Sequence, residues 1–441
     1  MIAIPLLMKP QQTSNQPLRS QAVVVGLDIN DALFDEHLAE AVELVTSAGV
    51  SVSQTVTGKR ARPDASTFAG SGKVDEIAAA VAAHDANLVV FNHQLSPIQI
   101  RNIEKIVGAR VIDRTDLILD IFGQRARSAE GKLQVELAQM QHLMTRLVKG
   151  WTHLERQRGG ISVRGGPGEK QLELDRRLVG DRIKRLKEKL KKLERQRNTQ
   201  RAGRRRAGVF NVGIVGYTNA GKSTLFNRIT RSGTYVADKL FATLDTTTRK
   251  LYIEPGIHVT VSDTVGFIHD LPHGLVAAFR ATLTEAMEAD LLLHVVDAAS
   301  QMREQQIDDV NQVLAEIGAD AIPQVIVYNK IDRLEGNPVA AILRNEDGKI
   351  AELRVSALAG TGMDLVRQTI REHAVEGGFS ETHDPLPAPV ENATTNDTTW
   401  HESHENPLFT PAGLYGEPDG GQEATKTRDA DTSRSEMNAI I

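Results

Sequence analysis

Gly216, Gly221, Lys222 and Ser223 stand in the spacing Gly-x-x-x-x-Gly-Lys-Ser, directly after the apolar run 209–215 and ahead of the helical pattern 224–229. A strand that breaks at glycine and turns into a helix aims successive backbone N–H groups at an anion, and the positive helix end adds to the attraction. The Lys222 ammonium reaches β and γ phosphates, while the Ser223 hydroxyl suits Mg²⁺, a hard cation that takes few protein ligands. Gly216, Tyr217, Thr218, Asn219, Ala220, Gly221, Lys222, Ser223 and Thr224 therefore form an expected nucleotide loop. The loop alone leaves the base open.

Three further motifs narrow the choice. Asp263, Thr264, Val265 and Gly266 follow a β run, so Asp263 can hold Mg²⁺ through water and the Gly266 N–H can meet the γ phosphate. Asn329, Lys330, Ile331 and Asp332 end another apolar run. A carboxylate at Asp332 accepts two hydrogen bonds from guanine and is left unpaired by adenine, a discrimination on the order of 10⁴. Ser356 and Ala357, after the last strand, support the base from its far side. In this order the motifs point to GTP and GDP.

Between loop and Asp263 lie Phe241, Ala242, Thr243, Leu244 and Asp245, followed by Thr246, Thr247 and Thr248. One threonine should close over Mg²⁺ and the γ phosphate as a switch; Thr243 is preferred, with the other three as rivals. Lys222, Thr243 and Gly266 are the expected catalytic set, and Ser223 and Thr243 the direct metal ligands. Phe267 stands where many regulatory GTPases carry a water-orienting glutamine, which predicts slow intrinsic hydrolysis. The Asn219 amide oxygen is a candidate for K⁺ beside the phosphates.

The surrounding chain must position these groups. Residues 1–20 are polar and turn-rich. Residues 21–128 alternate strands (22–27, 50–57, 88–91, 110–112) with helices (31–48, 73–84, 97–107), which predicts a small parallel α/β domain. The glycines of 68–73 read as a helix cap. Residues 207–375 carry strands at 251–253, 258–261, 291–296, 325–328 and 352–355, a doubly wound sheet. Residues 376–441 are polar and expected to be disordered.

Residues 129–206 differ. Leu133, Leu137, Met140, Met144, Leu147, Trp151 and Leu154 are spaced alternately by four and three, and Leu172, Val179, Leu186 and Leu193 recur every seven, joined by Ile183 and Leu190. Two such helices fold back as an antiparallel hairpin whose glycine-rich tip, 159–170, carries Arg164 and Lys170. Residues 145–206 hold 21 Lys and Arg against 7 Asp and Glu, while the rest of the chain holds 31 against 50. That excess suits a polyanion, with phosphate and groove contacts favoured because aromatics are few. A solvated coiled coil that docks a protein or an acidic membrane surface is the rival reading.

The chain has no cysteine, so disulfides, zinc thiolates and thiol nucleophiles are excluded. Its opening lacks a basic region before a long apolar run, and no apolar stretch approaches the roughly 20 residues that span a bilayer. A cytoplasmic protein without integral membrane association is expected.

The motifs Gln124-Arg-Ala-Arg127, Glu130-Gly-Lys-Leu-Gln-Val-Glu-Leu137, Gly159-Gly-Ile161, Phe241-Ala-Thr-Leu-Asp245, Asp263-Thr-Val-Gly-Phe267 and Asn329-Lys-Ile-Asp332, with the loop 216–223, resemble the HflX-type GTPases of the translation-associated class. The resemblance covers about residues 22–375. It implies a GTP-hydrolysing factor that binds the large ribosomal subunit, splits or rescues stalled ribosomes, and presents the hairpin loop, with Arg164 and Lys170, to ribosomal RNA; a monomer is expected. The tip departs from the family pattern by one additional glycine and by lysine at Lys170, which alters the register of that contact.

Overall fold

The computed structural model describes residues 21–149, 167–206, 208–231, 240–270, 287–336 and 338–379. The N-terminal sheet runs β2(Ser51–Lys59), β1(Gln21–Asp28), β3(Leu88–Phe91), β4(Arg110–Asp113), with every pair parallel. Residues 22–27 are buried along their whole length, as a central parallel strand covered on both faces must be. Helices α1(Phe34–Ser47), α2(Ser71–His84) and α3(Pro97–Val107) cover it. Ser96 and Gln99 form a reciprocal capping box at the start of α3, and Gly108, at φ 71°, ends it.

A fourth helix, α4(Arg114–Arg125), was not expected from sequence. Leu117, Ile118, Leu119, Ile121 and Phe122 are all buried, so it lacks the polar face that makes a helix legible by period. The Asp113 side chain starts it by accepting from the Asp116 N–H.

Helices α5(Ala129–Lys149) and α6(Pro167–Arg206) lie side by side. Arg182 bonds Glu136 at 2.7 Å and Arg197 bonds Glu130 at 2.8 Å, so the two run antiparallel. On α6 the least exposed residues include Val179, Ile183, Leu186, Leu190 and Leu193, which is the heptad face. On α5, Leu137 belongs to the expected seam, but Val135 and Ala138 are equally buried because α5 also packs on α4. Arg164, Trp151 and Leu154 lie outside the described residues, and Lys170 falls in the first turn of α6.

The second sheet has the order β10(Ala341–Arg344), β11(Ile350–Arg354), β9(Gln324–Asn329), β8(Leu291–Asp297), β5(Phe210–Gly216), β7(His258–Asp263), β6(Thr247–Tyr252). Only the edge strands β6 and β10 pair antiparallel. Strand β6 begins at Thr247, four residues before the expected strand, and β10 was not expected at all. Both are short edge strands with little burial, which leave a weak pattern. The helices include α7(Lys222–Thr230), α8(Arg303–Ile317) and α9(Met363–Glu376). Chain order reverses at β5, which has β7 on one side and β8 on the other, and ligands bind at such switch points.

One apolar core joins the two sheets' helices. Phe122 of α4 and Val135 of α5 share it with Leu240, Phe241, Leu244, Phe267 and Val310. Phe122 and Phe241 meet edge to face at 4.6 Å. Among the described residues, no helix is long and apolar enough to cross a membrane.

Candidate functional site

The turn after β5 is shaped by two glycines. A Cβ at Gly216, whose φ is 142°, would lie 2.1 Å from the Val295 carbonyl oxygen, and one at Gly221, whose φ is 94°, would lie 2.2 Å from Asn329 Nδ2. A side chain at Gly216 would press on backbone and one at Gly221 on the Asn329 amide, and both φ values lie where L side chains are strained. The turn opens into a cleft of about 570 Å³ whose lining includes Thr218, Asn219, Gly221, Lys222, Ser223, Thr224, Phe241, Ala242, Thr243, Thr264, Gly266, Asn329, Lys330 and Asp332.

Lys222 is buried, and its Nζ donates to the Tyr217 carbonyl at 2.7 Å. Burial pulls its ammonium down to about 8, which favours an anion arriving beside it. Ser223 Oγ donates to Asp263 Oδ2 at 2.6 Å and lies 2.8 Å from Thr243 Oγ1. Asp263 is buried, its other oxygen has no hydrogen-bond partner, and desolvation pushes its carboxyl pKa up. Three hard oxygen donors and an orphaned buried carboxylate oxygen fit Mg²⁺.

Of the four candidate threonines, Thr243 alone has its hydroxyl on Ser223. Thr247 pairs with Asp263 in the β6–β7 ladder, and Thr248 Oγ1 lies 2.8 Å from Ser262 Oγ. Across the cleft, the Phe267 carbonyl accepts from the Thr218 N–H at 2.7 Å and the Phe267 N–H donates to Gly216 at 3.2 Å. This zip puts Gly266 on the loop, where a Cβ would stand 2.7 Å from Thr218 Cγ2 and 2.9 Å from Lys222 Nζ. The Phe267 ring is buried in the shared core, so it anchors the backbone and faces no water.

At the other end, Asn329 Nδ2 donates to the Ala220 carbonyl at 2.9 Å and Asn329 Oδ1 accepts from the Ala357 N–H at 2.9 Å. One buried amide thus ties phosphate loop and base loop together. Lys330 Nζ bonds Asp297 at 2.9 Å, and the Ser356 hydroxyl donates to Asp332, holding its carboxylate toward the cleft that Asp332 lines. Arg333 and Leu358 also line this end. Neither was expected, although each directly follows an expected residue.

Several expected residues sit elsewhere. The Tyr217 side chain turns away from the cleft to donate to Glu40 of α1, because the N-terminal unit packs behind the loop. Leu244 is buried in the shared core, and Ala220, Val265 and Ile331 are buried beside the cleft. Asp245 binds the backbone at Arg127 and Ser128, at the root of α5. Asn219, at φ 59°, donates to Glu43 of α1 at 3.4 Å. Sequence carried no signal for Glu40 or Glu43, which lie on an ordinary amphipathic helix some 180 residues earlier.

Family models described as GTP-binding GTPase N-terminal, GTP-binding GTPase Middle Region and 50S ribosome-binding GTPase match residues 35–123, 125–204 and 211–330. The chain is 53% identical over 352 residues to the GTPase HflX of Escherichia coli (strain K12), covering 80% of this chain and 82% of that protein. The chain belongs to the HflX GTPase family. A second HflX, from Magnetococcus marinus, is 49% identical over 334 residues, 76% of this chain and 77% of that protein. A GTP-binding protein from Sulfolobus solfataricus, solved with GDP, is 24% identical with a TM-score of 0.43, covering 81% of this chain and 99% of that one. As a member of the HflX family the protein is a GTPase, a P-loop hydrolase that binds guanine nucleotides, and its first sheet is the parallel α/β layer that precedes the GTPase fold.

Proposed function

We propose that this HflX-family GTPase binds the large ribosomal subunit, splits or rescues stalled ribosomes, and contacts ribosomal RNA with its basic hairpin. The observation that carries the reading is the shared core: the switch segment at Phe241 packs on α4 and α5, so a change at the phosphates is felt at the hairpin. The match of residues 211–330 to a 50S ribosome-binding GTPase model and the charge of residues 145–206 point the same way.

Residues 21–128 then brace the phosphate loop, 129–206 form the RNA-binding prong and 207–375 turn over GTP. Lys222 holds the β and γ phosphates and the Gly266 N–H meets the γ phosphate as water attacks its phosphorus, the bond to the β–γ bridging oxygen breaks, and GDP and phosphate leave. Ser223 and Thr243, with Asp263 through water, would hold Mg²⁺, which would supply countercharge to the phosphates. Asp332 reads guanine, with Ser356 fixing its carboxylate. Asn219 offers an amide for K⁺; equal GTPase rates in KCl and NaCl would remove that role. Arg164 and Lys170 are the proposed RNA contacts, and the protein acts as a cytoplasmic monomer.

Cosedimentation of the full chain with purified 50S subunits under GDP, GTP and a non-hydrolysable analogue tests this. Tighter binding in the triphosphate states, weakening steeply with salt as several phosphate contacts require, is the expected result. Equal pelleting in all nucleotide states overturns the coupling. Ribosome binding that survives Arg164→Glu with Lys170→Glu overturns the tip contact.

A further inference from the structure

Asp245 lies two positions after Thr243, yet its carboxylate leaves the cleft for the hairpin. Its Oδ2 accepts from the backbone N–H groups of Arg127 and Ser128, each at 2.8 Å, and its Oδ1 accepts from the Ser128 hydroxyl at 2.5 Å. Ser128 precedes the first residue of α5, and its Oγ accepts in turn from the Gly131 N–H at 2.8 Å. The hydroxyl therefore caps the helix and donates its own hydrogen bond to Asp245. The carboxylate sits at the positive end of a 21-residue helix, where negative charge is favoured.

Gly131 is a second, independent observation. A Cβ there would stand 2.2 Å from Asp245 Oδ1 and 3.3 Å from Asp245 Cγ. Glycine inside a helix is destabilising relative to alanine. Here it makes room for the Asp245 carboxylate. Just beyond it, Glu130 bonds Arg197 of α6 at 2.8 Å, so the capped turn also holds the second hairpin helix.

We infer that Asp245 is a positioning residue through which the root of the hairpin sets the switch hydroxyl of Thr243. Two residues of chain span at most about 7 Å, so Thr243 cannot leave Ser223 far without pulling on Asp245. The joint works in both directions: a load on the hairpin reaches Thr243, and closure of Thr243 over the phosphates pulls on the root of α5. This rests on the proposed coupling of hairpin and nucleotide, and it names the contact that performs it.

Single-turnover GTPase rates and fluorescent GDP affinity, measured on the full chain without ribosomes, test the joint. Gly131→Ala favours the helix by propensity while filling the carboxylate's place, so circular dichroism should show the helices retained even as the Asp245 contacts are lost. The expected kcat falls on the order of tenfold or more, as small misplacements of a catalytic group do, for both Gly131→Ala and Asp245→Ala. GDP affinity should stay within about twofold of wild type, because the lost contact is not to bound product. The double variant should be no slower than the worse single one, and Ser128→Thr, which keeps the hydroxyl, should stay near wild type where Ser128→Ala falls.

A Gly131→Ala protein with the wild-type rate overturns the inference. So does an Asp245→Ala protein whose loss lies entirely in nucleotide affinity. Because these measurements need no ribosome, failure of the wild-type protein to distinguish GTP from GDP on 50S subunits would overturn the ribosomal reading and leave the joint to be judged on the rates.

Discussion

Tyr217 of the phosphate loop donates its phenolic hydrogen to Glu40 of α1 and accepts the His269 N–H. Arg114 of α4 completes the knot, bonding the other Glu40 oxygen and, at 2.8 Å, the His269 carbonyl. Burial first, and then the Glu40 charge, push the Tyr217 hydroxyl upward, so it remains a donor at any working pH. Tyr217→Phe keeps the ring and removes both bonds. Loss of about 1–3 kcal/mol in urea unfolding is expected. An unchanged midpoint would show that the knot adds nothing to folding.

Thr243, whose hydroxyl lies on Ser223, is the proposed switch residue, whereas the Thr248 hydroxyl lies on Ser262. Thr243→Ala should lower kcat on the order of 10²-fold, as removal of one preorganised group at the reacting phosphate does. Thr248→Ala removes only the contact to Ser262 and should leave kcat within about threefold. Equal losses in single-turnover hydrolysis would mean that β6, not the Thr243 hydroxyl, carries the effect.

Asp332→Asn replaces an acceptor that guanine satisfies with a group that donates toward the guanine amine. Fluorescent GDP should bind at least about 10²-fold more weakly while the ADP analogue changes little. Ser356→Ala, which frees the Asp332 carboxylate, should show a smaller loss of the same sign. If both nucleotides weaken together, the substitution has damaged the cleft and not its choice of base.

Two histidines give opposite pH dependences. Burial, aided by the Lys222 charge, pulls His294 down to about 4, whereas an unfolded imidazole takes its proton near 6.5. Between those values the unfolded chain binds the additional proton, so stability falls as pH drops through that window. His269 is raised by its hydrogen bond to Asp309, 3.3 Å away. Its contribution is full below about 6.5 and disappears as pH rises through the folded value. Urea midpoints across about pH 4–8 should flatten on the acid side in His294→Asn and on the neutral side in His269→Gln. Retention of the wild-type profile by either variant would assign that limb to other groups.

The phosphate loop, the Asp263–Gly266 and Asn329–Asp332 motifs and the heptad face of α6 were legible because each depends on residues close in sequence. A loop that cradles phosphate needs glycine where φ is positive, and a coiled face needs apolar residues every three or four positions, wherever the rest of the chain lies. Helix α4 was not legible, since a helix buried on nearly all sides has no period to read. The destinations of Tyr217 and Asp245 were equally hidden. Both stand inside nucleotide motifs, yet their polar atoms are satisfied by Glu40 and Ser128, more than 100 residues earlier. Thr243 is already preferred in the sequence; the fold adds that its rivals Thr247 and Thr248 pair in the β6–β7 ladder. Sequence determined which chemistry the chain can perform; only packing of the two sheets and the hairpin around one core decided which side chains are left to perform it.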